Sequence, residues 1–104
     1  LDADIKYFRA GKNNVTEFVP SFKFSGKRLV STDLDLPRFW ELLKTFQDLG
    51  WVQYIFVSTK IKRAVCSYVK TQRALDYKPY EEILGRLSIN ESHGNHFHLR
   101  LQKQ

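Results

Sequence analysis

Cysteine is nearly missing from this chain: Cys66 stands alone among 104 residues. A single thiol excludes an internal disulfide and excludes a thiolate-built zinc cluster. It also removes cysteine usage as a guide to redox compartment. Long apolar runs are missing too, and no stretch approaches the roughly 20 residues that a membrane span needs. There is no internal repeat, no low-complexity segment and no recognised nucleic-acid-binding motif. Histidine is confined to one place, with all three residues between positions 93 and 98. No signal peptide opens the chain, which begins directly on the alternating run Leu1-Asp2-Ala3-Asp4-Ile5-Lys6-Tyr7-Phe8. An opening inside a strand-like run leads us to expect native sequence ahead of Leu1.

The length suits one domain and is too short for two with separate cores. A hydrophobic share of 42% with 14% aromatics is enough for a packed interior and argues against disorder. Seventeen basic against eleven acidic residues give a formal charge of +6. That excess favours polyanionic partners, whether nucleic acid, acidic lipid or an acidic wall polymer.

Periodicity divides the chain into elements. The opening alternation is a strand with Asp2, Asp4, Lys6 and Phe8 on one face and Leu1, Ala3, Ile5 and Tyr7 on the other. A polar stretch with Gly11, Asn13, Asn14 and Pro20 reads as loop, and Lys27 to Thr32 as a short extended piece. Asp35 is suited to cap a helix that tolerates Pro37 in its first turn. Phe39, Leu42, Leu43, Phe46 and Leu49 then recur at helical spacing, and Gly50 provides the stop. Trp51 to Val57 reads as a buried strand, with Trp40, Trp51 and Phe56 as core residues. From Thr59 to about Gln72 the set Ile61, Ala64, Val65, Tyr68 and Val69 predicts a second helix. Its other face carries Lys60, Arg63, Ser67 and Lys70, either a solvated surface or a contact for an anionic polymer. Cys66 reads as a small buried or half-buried residue. Pro79 with Glu81 and Glu82 opens a third helix. The final alternation, His96-Phe97-His98-Leu99-Arg100-Leu101, is a closing strand. The fold class expected is α+β, with a small, mainly antiparallel sheet and about three helices.

In that closing strand His96, His98 and Arg100 project from one face while Phe97, Leu99 and Leu101 enter the core. Two imidazoles at alternate strand positions can point into one cleft. A catalytic zinc takes three protein ligands and keeps an open position for water, and Asp4 can offer a carboxylate oxygen. The pattern alone leaves two readings open, an ordinary strand surface and a metal site.

Three stretches resemble the penicillin-insensitive murein endopeptidases, whose fold is shared with lysostaphin-type and D-alanyl-D-alanine metallopeptidases. Leu1-Asp2-Ala3-Asp4-Ile5 is similar to the end of that family's metal motif, His-Gln-(Ser/Thr)-Gly-Leu-Asp-x-Asp-(Ile/Leu). Gln53-Tyr54-Ile55-Phe56-Val57 with Ile61-Lys62 resembles its central strand and following helix. His93-Gly94-Asn95-His96-Phe97-His98-Leu99-Arg100-Leu101 resembles its closing His-x-x-His-x-His-(Val/Leu)-Arg-(Leu/Ile) signature. The resemblance implies Asp4 and His98 as zinc ligands, and His96 and His93 as catalytic histidines that do not bind the metal. It implies Asp2 and Arg100 as supporting or substrate-contacting residues. The family's remaining ligand, a histidine seven residues before the aspartate, would fall ahead of Leu1. Residues 1–104 are therefore read as the C-terminal major part of a single metallopeptidase domain. With two ligands of three, the chain by itself is expected to bind zinc poorly and to be inactive. Where some relatives carry an additional metal pair, Ser25-Gly26-Lys27-Arg28 stands here, so one zinc is expected.

The activity implied is zinc-dependent hydrolysis of the D-alanyl–diaminopimelate cross-link between peptidoglycan stem peptides, in the periplasm or secreted to the cell wall. His96 or His93 would act as general base, and the other would stabilise the developing oxyanion. Two other readings stand beside it. One is a catalytically inactive wall-binding or regulatory module of the same fold. The other, a nucleic-acid-binding domain, rests on net charge alone, and no nucleic-acid partner is expected.

Overall fold

The computed structural model describes residues 2–11, 19–92 and 95–102. Among these the chain runs β1 (Asp2–Lys6), β2 (Phe22–Ser25), β3 (Arg28–Ser31), α1 (Leu36–Leu49), β4 (Val52–Val57), α2 (Thr59–Gln72), α3 (Ala74–Tyr77), α4 (Glu81–Gly85), β5 (Leu87–Ile89) and β6 (His96–Leu101). The class is α+β. One sheet has the order β1-β6-β4-β5, and β2 and β3 form a separate hairpin. β6 runs antiparallel to both β1 and β4, while β4 and β5 are parallel. A parallel neighbour needs a crossover, and the helices between β4 and β5 supply it.

The two long helices form where their caps and apolar stripes agree. Asp35 accepts a hydrogen bond from the Arg38 amide at 3.1 Å, and Pro37 occupies the first turn of α1. Gly50 ends the helix with a φ of 74°, a left-handed conformation that costs a side chain-bearing residue strain. Ser58 caps α2, whose Ile61, Ala64, Val65 and Val69 are buried. Both helices cover the sheet face that carries Ile55, Val57, Phe97 and Leu99, all part of one core cluster. Three rings lock that cluster at the site end. Phe97 of β6 lies 5.0 Å from Phe39 of α1 and 5.6 Å from Tyr7, which follows β1, and Tyr7 meets Phe39 edge-on at 5.8 Å.

Several elements differ from the sequence-based expectation. The hairpin strand β2, the one-turn helix α3 and the short strand β5 were not anticipated. The third helix begins at Glu81, after Pro79. Trp51 is not a core residue: it precedes β4 and is 50% exposed. Nor is β4 buried throughout. Val52, Ile55 and Val57 are buried, but Gln53 and Tyr54 are exposed and Phe56 is half-buried on the uncovered face. The cause is that the helices cover one side of the sheet only, so the run from Tyr54 to Val57 is split by parity, while a register shift between Val52 and Tyr54 resets the alternation and lets Val52 be buried as well.

Phe97→Ala should destabilise the fold by about 3–5 kcal/mol, because it removes the ring at the centre of the aromatic trio. Asp35→Ala, which removes only a cap, should cost about 1 kcal/mol. Denaturant unfolding measures both, and similar costs for the two would contradict the placement of the core.

Candidate functional site

The uncovered face of the sheet collects the charged and imidazole side chains of the two termini. Antiparallel pairing sets Asp4 opposite His98, Asp2 opposite Arg100 and Lys6 opposite His96. Residues at alternate positions share a face, so one register brings the whole group together across 94 positions of sequence. His98 Nδ1 donates to Asp4 Oδ1 at 2.7 Å. Its Nε2 lies 3.3 Å from Asp2 Oδ1, where it donates only when the ring carries a second proton. Arg100 Nε also donates to Asp2 Oδ1, at 3.3 Å.

His96 is held differently. Its Nδ1 lies 2.6 Å from the Asn95 amide oxygen, which can only accept, so Nδ1 carries the proton. The neutral ring then keeps its basic lone pair on Nε2, 3.9 Å from Asp4 Oδ1. The loop ahead of this strand is tied down from behind. Glu91 accepts from the Thr59 amide at 2.8 Å and the Thr59 hydroxyl at 2.6 Å at the start of α2. The Asn90 amide donates to Val57 O. The hydroxyl and the amide of Thr59 hold the Glu91 carboxyl below its ordinary range.

Asp2 is the electrostatic hinge of the group. Its carboxyl is held below the usual carboxylate range, first by the contact with His98, which desolvation opposes, and then by the hydrogen bond and charge of Arg100. Beneath the polar residues lies an aromatic floor. The Phe56 ring packs 5.8 Å from the His98 ring, and the Arg100 guanidinium lies 5.2 Å from the Phe56 centroid. Alongside runs an open groove of about 730 Å³, lined by Asp2, Tyr54, Arg86 and Arg100 among others.

Of the residues singled out from sequence, Asp2, Asp4, His96, His98 and Arg100 lie together, and His93 lies outside the described residues. Sequence reasoning missed Phe56, taken for core, and Asn95, which selects the His96 tautomer. The signal for Phe56 was its parity: it alternates with Ile55 and Val57, so it cannot share their face. Cys66 is half-buried, and burial pushes its thiol up against the opposing effect of Lys62 and Lys70, which is the reverse of an activated thiolate.

The donor set of a carboxylate and imidazoles suits zinc, but the geometry fits it only in part. Two donors on a tetrahedral zinc stand roughly 3.4 Å apart, given ligand bonds of about 2.0–2.2 Å. The Asp4–His98 pair, at 2.7 Å, is closed on a hydrogen bond and would have to open and lose the Nδ1 proton. Among the described residues no group of three or more His, Cys, Asp or Glu is arranged to hold a metal ion. Compared with known proteins, the chain matches no family model, no curated protein and no solved structure.

A group whose carboxyl is depressed by folding adds stability above its unfolded-state pKa, and that stability disappears as pH falls through the folded value. For Asp2 the loss therefore lies on the acid side of the ordinary carboxylate range. Carboxyl-detected NMR titration should show Asp2 moving upward in His98→Ala and moving upward less in Arg100→Gln. A larger change in the arginine variant would reverse the order of causes.

Proposed function

We propose that this chain carries the catalytic face of a zinc-dependent endopeptidase that hydrolyses peptide cross-links in peptidoglycan, acting in the cell-wall compartment. The single observation that supports the reading most is the pairing of Asp4 with His98 at one register position, with His96 on the same face. The terminal motifs that resemble the murein endopeptidases are the ones that meet there.

In this reading Asp4 and His98 would hold the ion, and the further histidine ligand that the motif implies would fall ahead of Leu1. The ion supplies acidification of water and polarisation of the scissile carbonyl. The rest is done by the chain. His96, with its proton fixed on Nδ1 by Asn95, offers Nε2 as general base and returns the proton to the leaving amine. Asp2 orients His98 and is itself held by Arg100. The stem peptide lies along the open groove beside Tyr54 and Arg100. His93 is the second catalytic histidine implied by the motif.

A second reading is a wall-binding or regulatory module that kept the fold without the chemistry. The two ligands present in this chain permit it.

Zinc titration of this chain should read one weak site, micromolar or looser, as expected when water must fill two coordination positions. Asp4→Asn and His98→Ala should abolish it, and His96→Ala should leave it unchanged. Cleavage of cross-linked muropeptides is read on the chain extended so that a histidine stands seven residues before Asp4. There His96→Ala should lower the rate by roughly 10²–10⁴-fold with zinc retained. Equal loss of zinc in the two histidine variants would undo this division of roles. Tight zinc without cleavage would favour the second reading.

A further inference from the structure

Away from the Asp–His face the charge is uneven in sign. The β2–β3 hairpin and helix α2 together hold seven basic residues and no acid, so the remainder of a chain of net charge +6 is slightly negative. The two elements pack on each other, and Arg63 of α2 lies with its guanidinium 5.5 Å from the Phe24 ring centroid. Lys62 turns inward and donates to Leu87 O at 2.8 Å. Lys23, Lys27 and Arg28 on the hairpin and Lys60, Arg63 and Lys70 on the helix are exposed.

A large apolar residue stands among these cations. Phe24 is 63% exposed, two positions before the hairpin turn. The tip itself is a two-residue turn with Gly26 at a φ of 64°, which keeps the hairpin short and lets Phe24, Lys27 and Arg28 cluster at its end. Helix α2 buries Ile61, Val65 and Val69 toward the sheet, so its basic side faces away from the sheet and from the histidines.

We propose that this surface docks on an anionic lipid bilayer. An exposed aromatic side chain with lysine and arginine about it matches the two demands of such an interface, insertion at the acyl boundary and attraction to acidic headgroups. Single-stranded nucleic acid fits less well. It needs successive aromatic faces for stacking, whereas the single exposed ring here already has a guanidinium over it. A lipid boundary needs only the apolar edge of the ring. Docking by this side leaves the Asp–His face directed away from the bilayer, and the inference stands whether or not that face hydrolyses anything.

The test is co-sedimentation of the full chain with vesicles of phosphatidylcholine alone and of phosphatidylcholine mixed with phosphatidylglycerol. Partition should be at least about tenfold stronger onto the mixed vesicles, as several basic contacts imply. Lys27→Glu/Arg28→Glu should lower it by about tenfold or more, and high salt should erase that difference. Phe24→Ser should weaken it at both low and high salt, because its contribution is apolar. Lys6→Glu/Lys78→Glu makes the same change in net charge elsewhere and should leave partition within about twofold if the patch, not total charge, is responsible. Circular dichroism checks that each variant is folded, and all the altered side chains are exposed. Equal partition onto both vesicle types, an unaffected Phe24→Ser, or equal losses in the two charge-reversal variants would overturn the proposal. So would binding to a DNA oligonucleotide with no vesicle uptake.

Discussion

The burial of Phe97 is the constraint on which the rest of the site depends. Its ring closes on Tyr7 and Phe39, tying the end of β1, helix α1 and strand β6 into one contact. A strand with an inward residue at 97 and another at 99 has no choice about 96, 98 and 100. The same packing that stabilises the core therefore turns two imidazoles and a guanidinium outward. It also fixes the register that sets Asp4 against His98, since a slip of one residue in β6 would exchange the faces.

The charges gathered on that face are arranged to hold one another. Asp2 accepts a hydrogen bond from Arg100, opposite it on β6, and lies against Nε2 of His98, while Asp4 accepts from the other nitrogen of that ring. A half-exposed cluster of this kind is marginal as a source of stability, because water competes for every partner. Its value lies in orientation. Each imidazole has a defined neighbour, and the aromatic ring of Phe56 limits how far His98 can rotate beneath them.

The layered order of the molecule separates two kinds of surface. One side of the sheet carries the Asp–His group and the open groove, and the other is covered by α1 and α2. The hairpin leans on the outer flank of α2, so the cations of both elements accumulate on the side remote from the histidines. Helix α2 mediates this division: its apolar stripe serves the core, and its opposite stripe carries no acidic residue of its own.

The sequence by itself determined α1 and α2 almost to the residue, because caps, stops and apolar stripes agreed in each. It also determined which residues of the first and last strands share a face, since alternation needs nothing beyond the strand itself. It did not reveal β2 or β5, which are only four and three residues long and carry too little pattern to be distinguished from loop. Nor did it reveal that Trp51 and Phe56 lie outside the core. Whether an aromatic residue is buried depends on which face of the sheet the helices cover, and no local pattern contains that. Only the tertiary structure decided that β6 would lie between β1 and β4, bringing Asp2 and Asp4 from the beginning of the chain beside His96 and His98 at its end. Pairing across so long a separation follows from packing against a shared core, a property of the assembled chain and not of either segment.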